Sequence, residues 1–399
     1  MSYMIRLDGH FASYVGIDLH TDSLAVHAIR DRGDGFERRG IPCRCTGTVV
    51  EFIACLPHPV CVGIESMGSF YWLWDLLEGR VEHRVLIDAL DLSKLSPRIA
   101  DTDRSVAAKI AHVLRDGRVP TCYVPPRHIR QLRQLGRQWQ AVTEMMSTAK
   151  AQLRWQFHQN NFTGPRQISG ASMQRWMAAS GHKMERLPLG LMNNWHQVVL
   201  PIERIRCEIR REMLALVRGD AAVNHQVDLL RHAHGLGDIL STIIVAEFGD
   251  FHRFHDADQV SCWTGLTERS HVSNRQAYPG HISKAGSPTL RWALCEAAMQ
   301  LVRCDEFYQE MYERLCAKTA KPAIARTAMG RRVARYCWKC VVSDKPFRTG
   351  PARPRTRRAN QVRLRRQRRR SGREIEPGRR RQEGEPERSS EETTSRQDA

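Results

Sequence analysis

The chain has 399 residues, enough for two or three cores, and carries 62 lysines and arginines against 43 acids for a formal net charge of +19. Hydrophobic content is 41%. No run approaches the ~18 apolar residues of a membrane span, and the N-terminus MSYMIRLDGH has no secretory apolar core, so the expectation is a cytoplasmic, nucleoid-associated protein with no membrane partner.

Taken in chain order, ASYVGIDLH and SLAVHAIRD read as a hairpin turning at Thr21–Asp22, and FERRGIPC adds a third strand. TGTVVEFIACL has helical spacing after a Thr46 cap. VCVGIES (60–66) is another apolar strand, SFYWLWDLLEG a helix closed by Gly79, RVLIDAL a strand, and SVAAKIAHVLRDG (105–117) a helix closed by Gly117. Strands followed by alternating strands and helices predict a mixed α/β sheet over 12–126. Residues 127–230 are rich in helix formers with basic residues between the apolar positions; they read as long coiled-coil-like helices that pair with another chain or pack within this one. From 231 a mainly helical unit runs to 342. It opens on Gly235-Leu-Gly237, a tight turn that either joins two helices or offers backbone N–H groups to a phosphate. TERSHVSNRQAYPGHISKAGSPT (267–289) reads as a long polar loop, and loops of that length are usually functional. The segment 343–399 is read as a disordered arginine-rich tail; from 345 on it holds 18 basic and 8 acidic residues and almost no large apolar ones.

The +9 left to the folded part points to a polyanionic partner, nucleic acid before others. The 12 cysteines are scattered, so reduced and buried thiols are expected, and neither Cys43/Cys45 nor Cys337/Cys340 has a second pair at zinc spacing. Against this basic background two apolar strands end in acids, Asp18 and Glu65. If the strands are neighbours, both carboxylates project from one sheet edge, where either arginines or a divalent cation compensates them. Magnesium takes oxygen ligands, commonly one or two carboxylates plus substrate phosphates.

VGIDLHTDS, VGIESMGSFYWLWDLL, ADTDRSVAAKIAHVLRDG, GLGDILSTIIVAEFGDFHRFHDADQVSCWTGLTERSHVS and GHISKAGSPTLRWALCEAAM, in this order, resemble the DEDD transposases of the insertion-sequence one-ten family, relatives of the Piv DNA invertases. The resemblance spans about residues 14–342. It implies an RNase H-like (RuvC-like) first domain and four acids on magnesium: Asp18, Glu65, and a D-x-x-D pair that opens a helix, of which the first is Asp103. The second falls on Val106, which cannot ligate; Asp101 is nearby but offset and serves only if the backbone bends. The resemblance also implies a serine nucleophile. Counting back from Gly280-His-Ile-Ser-Lys-Ala-Gly286 puts it at Ser273, followed by Asn274, with Ser270 and Ser283 as neighbouring competitors and Lys284 and Arg291 as phosphate contacts.

The function implied is a transposase, or site-specific DNA recombinase, that cleaves and rejoins the DNA of its own mobile element. The partners implied are DNA, a structured guide RNA of the kind some members use, and further copies of the chain in a dimer or tetramer. Two alternatives stand beside it: a DNA-binding relic whose catalysis Val106 has impaired, and a metal-only junction-resolving nuclease with no need of Ser273.

Overall fold

The computed structural model describes residues 3–32, 36–66, 68–95, 103–180, 194–273 and 276–348. Among them seven strands form one sheet: β1 (Tyr3–Arg6), β2 (Ser13–Leu19), β3 (Ser23–Arg30), β4 (Phe36–Pro42), β5 (Val60–Glu65), β6 (His83–Ile87) and β7 (Arg118–Thr121). Their order across the sheet is β1-β7-β6-β5-β2-β3-β4, with β2, β5 and β6 parallel and the rest antiparallel to their neighbours. The meander β2–β3–β4 is the one the alternation predicts. The sheet also takes in β1, whose four residues lack a clear pattern and are held by pairing with β7.

Every residue of β2 is buried, because both sheet faces are covered. Side chains alternate along a strand, so Val15, Ile17 and Leu19 enter one apolar cluster while Tyr14 enters the other. The first face packs on α1 (Thr46–Ala54) and α2 (Tyr71–Leu76). Cys45, not Thr46, occupies the N-cap of α1, and no side chain caps it. The helix expected through Gly79 stops at Leu76. The second face packs on α4 (Asp103–Arg115), which follows the short α3 (Ala89–Leu95). Gly117, with φ of +74°, ends that packing segment as expected. Ile110, Ala111 and Leu114 of α4 are fully buried on the sheet.

Beyond Pro126 the chain is mainly helical. The 33-residue α5 (Arg127–Gln159) is about 50 Å long at 1.5 Å per residue. It is followed by α6 (Gly170–Ser180), α7 (Leu200–Gly219, entered through a π-helical turn at Trp195–Val199), α8 (Ala221–Arg231), α9 (Asp238–Phe248) and α10 (Ala257–Trp263). Ile129, Leu132 and Trp139 of α5 share a core with Ile209, Met213 and Val217 of α7. Within the chain, then, these helices pack on each other, one of the two arrangements the pattern allowed.

The segment expected to be a loop is a hairpin, β8 (Glu268–Ser273) and β9 (Gln276–Ile282), paired antiparallel. Three helices follow: α11 (Pro288–Cys304), α12 (Glu306–Thr319) and α13 (Pro322–Val342). Ser287 starts α11 by accepting the Leu290 N–H at 3.3 Å. No described helix is long and apolar enough to cross a membrane. Of the tail, residues 349–399 lie outside the described residues.

Arginines tie α5 to α2, which packs on the sheet, and to α9. Arg130 donates to Asp75 of α2 at 2.6 Å and lies over the Tyr71 ring. One turn on, Arg133 donates to the Ala246 and Glu247 carbonyls at 2.7 and 2.9 Å. Arg137 then pairs with the Glu247 carboxylate at 3.1 Å. Arg253 sits between three rings, 4.7 Å from Tyr123, 4.2 Å from Phe254 and 4.1 Å from Trp263. Burial, together with the nearby Arg133 charge, brings its pKa down to about 10. Tyr123 follows β7, and Trp263 ends α10 just before the hairpin, so Arg253 pins one to the other. Arg253→Ala is expected to cost about 2 kcal/mol or more in urea unfolding, since a desolvated cation–π contact alone is worth that much. An unchanged midpoint would show that the rings close up without it.

Candidate active site

The strand-end acids come together as the sequence reading requires. In the parallel ladder Ile17 pairs with Ile64, so the next residues, Asp18 and Glu65, stand side by side at one edge of the sheet. Alternation from Tyr14 and Cys61, both in the cluster under α4, puts both acids on the α4 face. Asp18 is 3% exposed and Glu65 half-buried. The ion partner of Asp18 is the His20 imidazole, with Nε2 at 3.3 Å from Oδ2; among the described residues no lysine or arginine pairs with Asp18.

Asp103 is the first residue of α4. That helix crosses β2 at Gly16, where an added Cβ would collide with the Ala107 carbonyl oxygen. Asp103 thus lies one turn before the crossing point and Asp18 two residues beyond it. The charge of Arg115, in the last turn of α4, reaches Tyr14 near the start of β2. This runs α4 back along β2, with its first turn toward the acid edge. Val106 is partly buried against the apolar cluster on the sheet side of α4. An i+3 partner of Asp103 therefore faces the sheet, and here it offers methyl groups. Asp101 lies outside the described residues.

A third strand-end acid, Asp88 after β6, went unmarked in the sequence reading, although RVLID ends as the other two strands do. Its carboxylate is engaged: Oδ1 accepts the Asp91 N–H at 3.0 Å and Oδ2 the Cys122 thiol at 3.2 Å. Burial and this neighbour push Cys122 up to about 12.

Ser273 is the last residue of β8, opposite Gln276 of β9, at the tip end of the hairpin; Asn274 lies outside the described residues. The hairpin's foot is tight, and Gly265 approaches Ala285 so closely that no side chain fits between them. Arg291 braces this foot by donating to the carbonyls of Lys284, Ala285 and Gly286 at 3.1, 3.2 and 2.9 Å. Lys284 beside it is exposed, with φ of +54°. Of the two glycines at the other turn, Gly235 (φ +100°) faces the Gln300 carbonyl of α11, 3.1 Å from where a Cβ would lie. Gly237 is the N-cap of α9, with open space around it. The first is a packing glycine; the second leaves the helix start accessible.

As a donor set for a hard divalent cation, Asp18 and Glu65 fit in kind: adjacent carboxylates, one of them buried without a lysine or arginine on it. Among the described residues no group of three or more His, Cys, Asp or Glu is arranged to hold a metal ion.

Comparison with known proteins bears on both halves. Residues 15–160 match the DEDD transposase family of the IS110 type, and residues 227–313 match the family described as Transposase IS116/IS110/IS902. A protein of Pseudomonas aeruginosa described as "Probable family 20 transposase" is 25% identical over 353 residues, covering 85% of this chain and 99% of that one. The transposase for insertion sequence element IS1111A of Coxiella burnetii is 32% identical over 83 residues, 21% of this chain and 23% of the relative. The two family matches lie on the acid-bearing sheet and on the hairpin-bearing helices, in that order, and the chain belongs to the IS110-type DEDD transposases.

Proposed function

We propose that this transposase is a site-specific recombinase for the DNA of its own element, using Asp18, Glu65 and Asp103 with Mg²⁺ and Ser273 as nucleophile. The observation that carries the reading is the parallel register that sets Asp18 beside Glu65 on the α4 face. In this reading 12–126 is an RNase H-like domain: a three-stranded meander followed by two strands parallel to its first, with helices on both faces, is the order such a domain requires. Residues 127–230 link it to a serine-bearing domain over 231–342, and 343–399 is a basic tail. A divalent ion held at the acid edge supplies charge neutralisation for phosphate oxygens.

The serine's part is a transesterification. The Ser273 Oγ–phosphorus bond forms as a phosphodiester P–O bond breaks, the serine proton leaves to solvent, and the released sugar oxygen gains a proton. In this reading Lys284 and Arg291, at the foot of the hairpin rather than beside Ser273 at its tip, contact DNA phosphates away from the one that reacts. As the family resemblance implies, chains in a dimer or tetramer complete one another's sites, the serine of one working with the acids of another. A structured guide RNA is compatible with the basic surface. Val106 favours one second reading, a DNA-binding relic with one ligand missing, since an apolar side chain at a metal edge lowers ion affinity.

The test is an adduct assay. Full-length protein, Mg²⁺ and junction DNA, with and without the element's flanking transcript, are run on a denaturing gel beside Ser273→Ala and Asp18→Ala. The expected result is a protein–DNA band that each substitution removes, by at least a hundredfold. Cleavage that survives Ser273→Ala would replace the recombinase with a nuclease. Binding without cleavage would make the chain the relic.

A further inference from the structure

On the flank where α5 meets α7, three cations are gathered with almost nothing to balance them. Lys150 and Arg154 stand one turn apart on α5, the first half-buried and the second exposed. From α7, Arg206 places its guanidinium carbon 4.7 Å from the centre of the Trp139 ring, and its buried Nε has no hydrogen-bond partner among the described residues. The acid among them, Glu203, accepts the Gly170 N–H at 3.0 Å with its Oε2. Thr143, on the same flank, also has a buried hydroxyl without a partner. Burial lowers the pKa of Lys150, and the Arg206 and Arg154 charges lower it further against the pull of Glu203. Like charges brought together on a partly buried flank repel one another, and a bound polyanion relieves that repulsion.

We propose that this flank, with Lys150, Arg154 and Arg206, grips the phosphate backbone of duplex DNA away from the acid edge. Lys150 is about 34 Å along α5 from Arg127, at 1.5 Å per residue, and the acids belong to the sheet that precedes α5. A contact there holds a stretch of DNA beyond the reacting phosphate and fixes its direction. Arg206 is pre-set by its ring, so little side-chain freedom is lost on binding. The row carries no sequence information, because its partners are phosphates. The inference rests on the DNA-processing reading above.

The experiment measures binding of full-length wild type, Lys150→Gln, Arg154→Gln, Arg206→Gln and the triple variant to a fluorescent duplex and to a folded RNA, over a range of salt. Arg314→Gln, an exposed cation on α12 facing Glu310, controls for net charge. The expected result is a salt slope on duplex DNA that falls by about one per cation removed and by about two to three in the triple variant, with the control unchanged. Melting curves check each fold, and Arg154→Gln, on an exposed side chain, keeps the test standing if Arg206→Gln unsettles Trp139. Unchanged slopes on DNA overturn the proposal while the recombinase reading survives. A loss confined to RNA also overturns it, assigning the flank to RNA. A wild type that holds no DNA defeats both readings at once.

Discussion

Gly16→Ala is expected to unfold the sheet domain at a denaturant concentration well below that of the wild type, with a loss of at least about 3 kcal/mol out of the ~5–15 kcal/mol typical of a folded domain. The added Cβ would overlap the Ala107 carbonyl oxygen and come within 2.8 Å of the Ala111 nitrogen and 2.9 Å of the Ile110 Cβ. Two of these three atoms are helix backbone, which has no rotamer to escape into. The helix must lift, exposing Ile110, Ala111 and Leu114, all fully buried against the sheet. Gly40→Ala in β4, where nothing lies within 4 Å of the new methyl, is expected to stay within about 0.5 kcal/mol of wild type. Urea unfolding followed by circular dichroism reads both. A Gly16→Ala midpoint equal to wild type would mean that α4 is not seated on β2, and would remove the reason for grouping Asp103 with Asp18.

That same contact explains why the first half of the chain could be read without a structure. YVGIDL and VCVGIE are apolar on both parities because both sheet faces are covered, and the glycine in each is where α4 lies close. Strand, turn and acid are all local signals. The hairpin carrying Ser273 is not local in this way. TERSHVSNRQAYPG shows no sustained apolar alternation in its sequence, so no local signal marks the two strands that pair with each other. Its foot is fixed by Arg291 bonds to three carbonyls and by the contact of Gly265 with Ala285, which only a folded chain displays. The packing of α5 on α7 is hidden for a related reason: an apolar stripe on a long helix states that something covers it, not what. Asp88 shows the opposite failure. Its signal was identical in kind to that of Asp18, and only its bonds to Asp91 and Cys122 mark it as engaged.

The acid edge itself is best tested at the position where the family pattern breaks. Val106→Asp is expected to lower stability in the presence of a chelator by about 1–3 kcal/mol, because a carboxylate on a partly buried apolar face lacks a partner. Magnesium should then restore more stability to the variant than it adds to wild type. An ion present at one hundred times its dissociation constant contributes about 2.7 kcal/mol to the state that binds it, and a further ligand tightens that constant. Melting curves with and without Mg²⁺ give both quantities, and DNA cleavage by the same samples gives the third. A variant that gains both Mg²⁺-dependent stability and cleavage over a feeble wild type identifies the chain as an enzyme missing one ligand. Gain in stability with cleavage already full in wild type makes the fourth acid dispensable, Asp18, Glu65 and Asp103 sufficing. If the variant is as unstable with Mg²⁺ as without it, position 106 does not face the ion, and Asp103 loses its place beside Asp18 and Glu65.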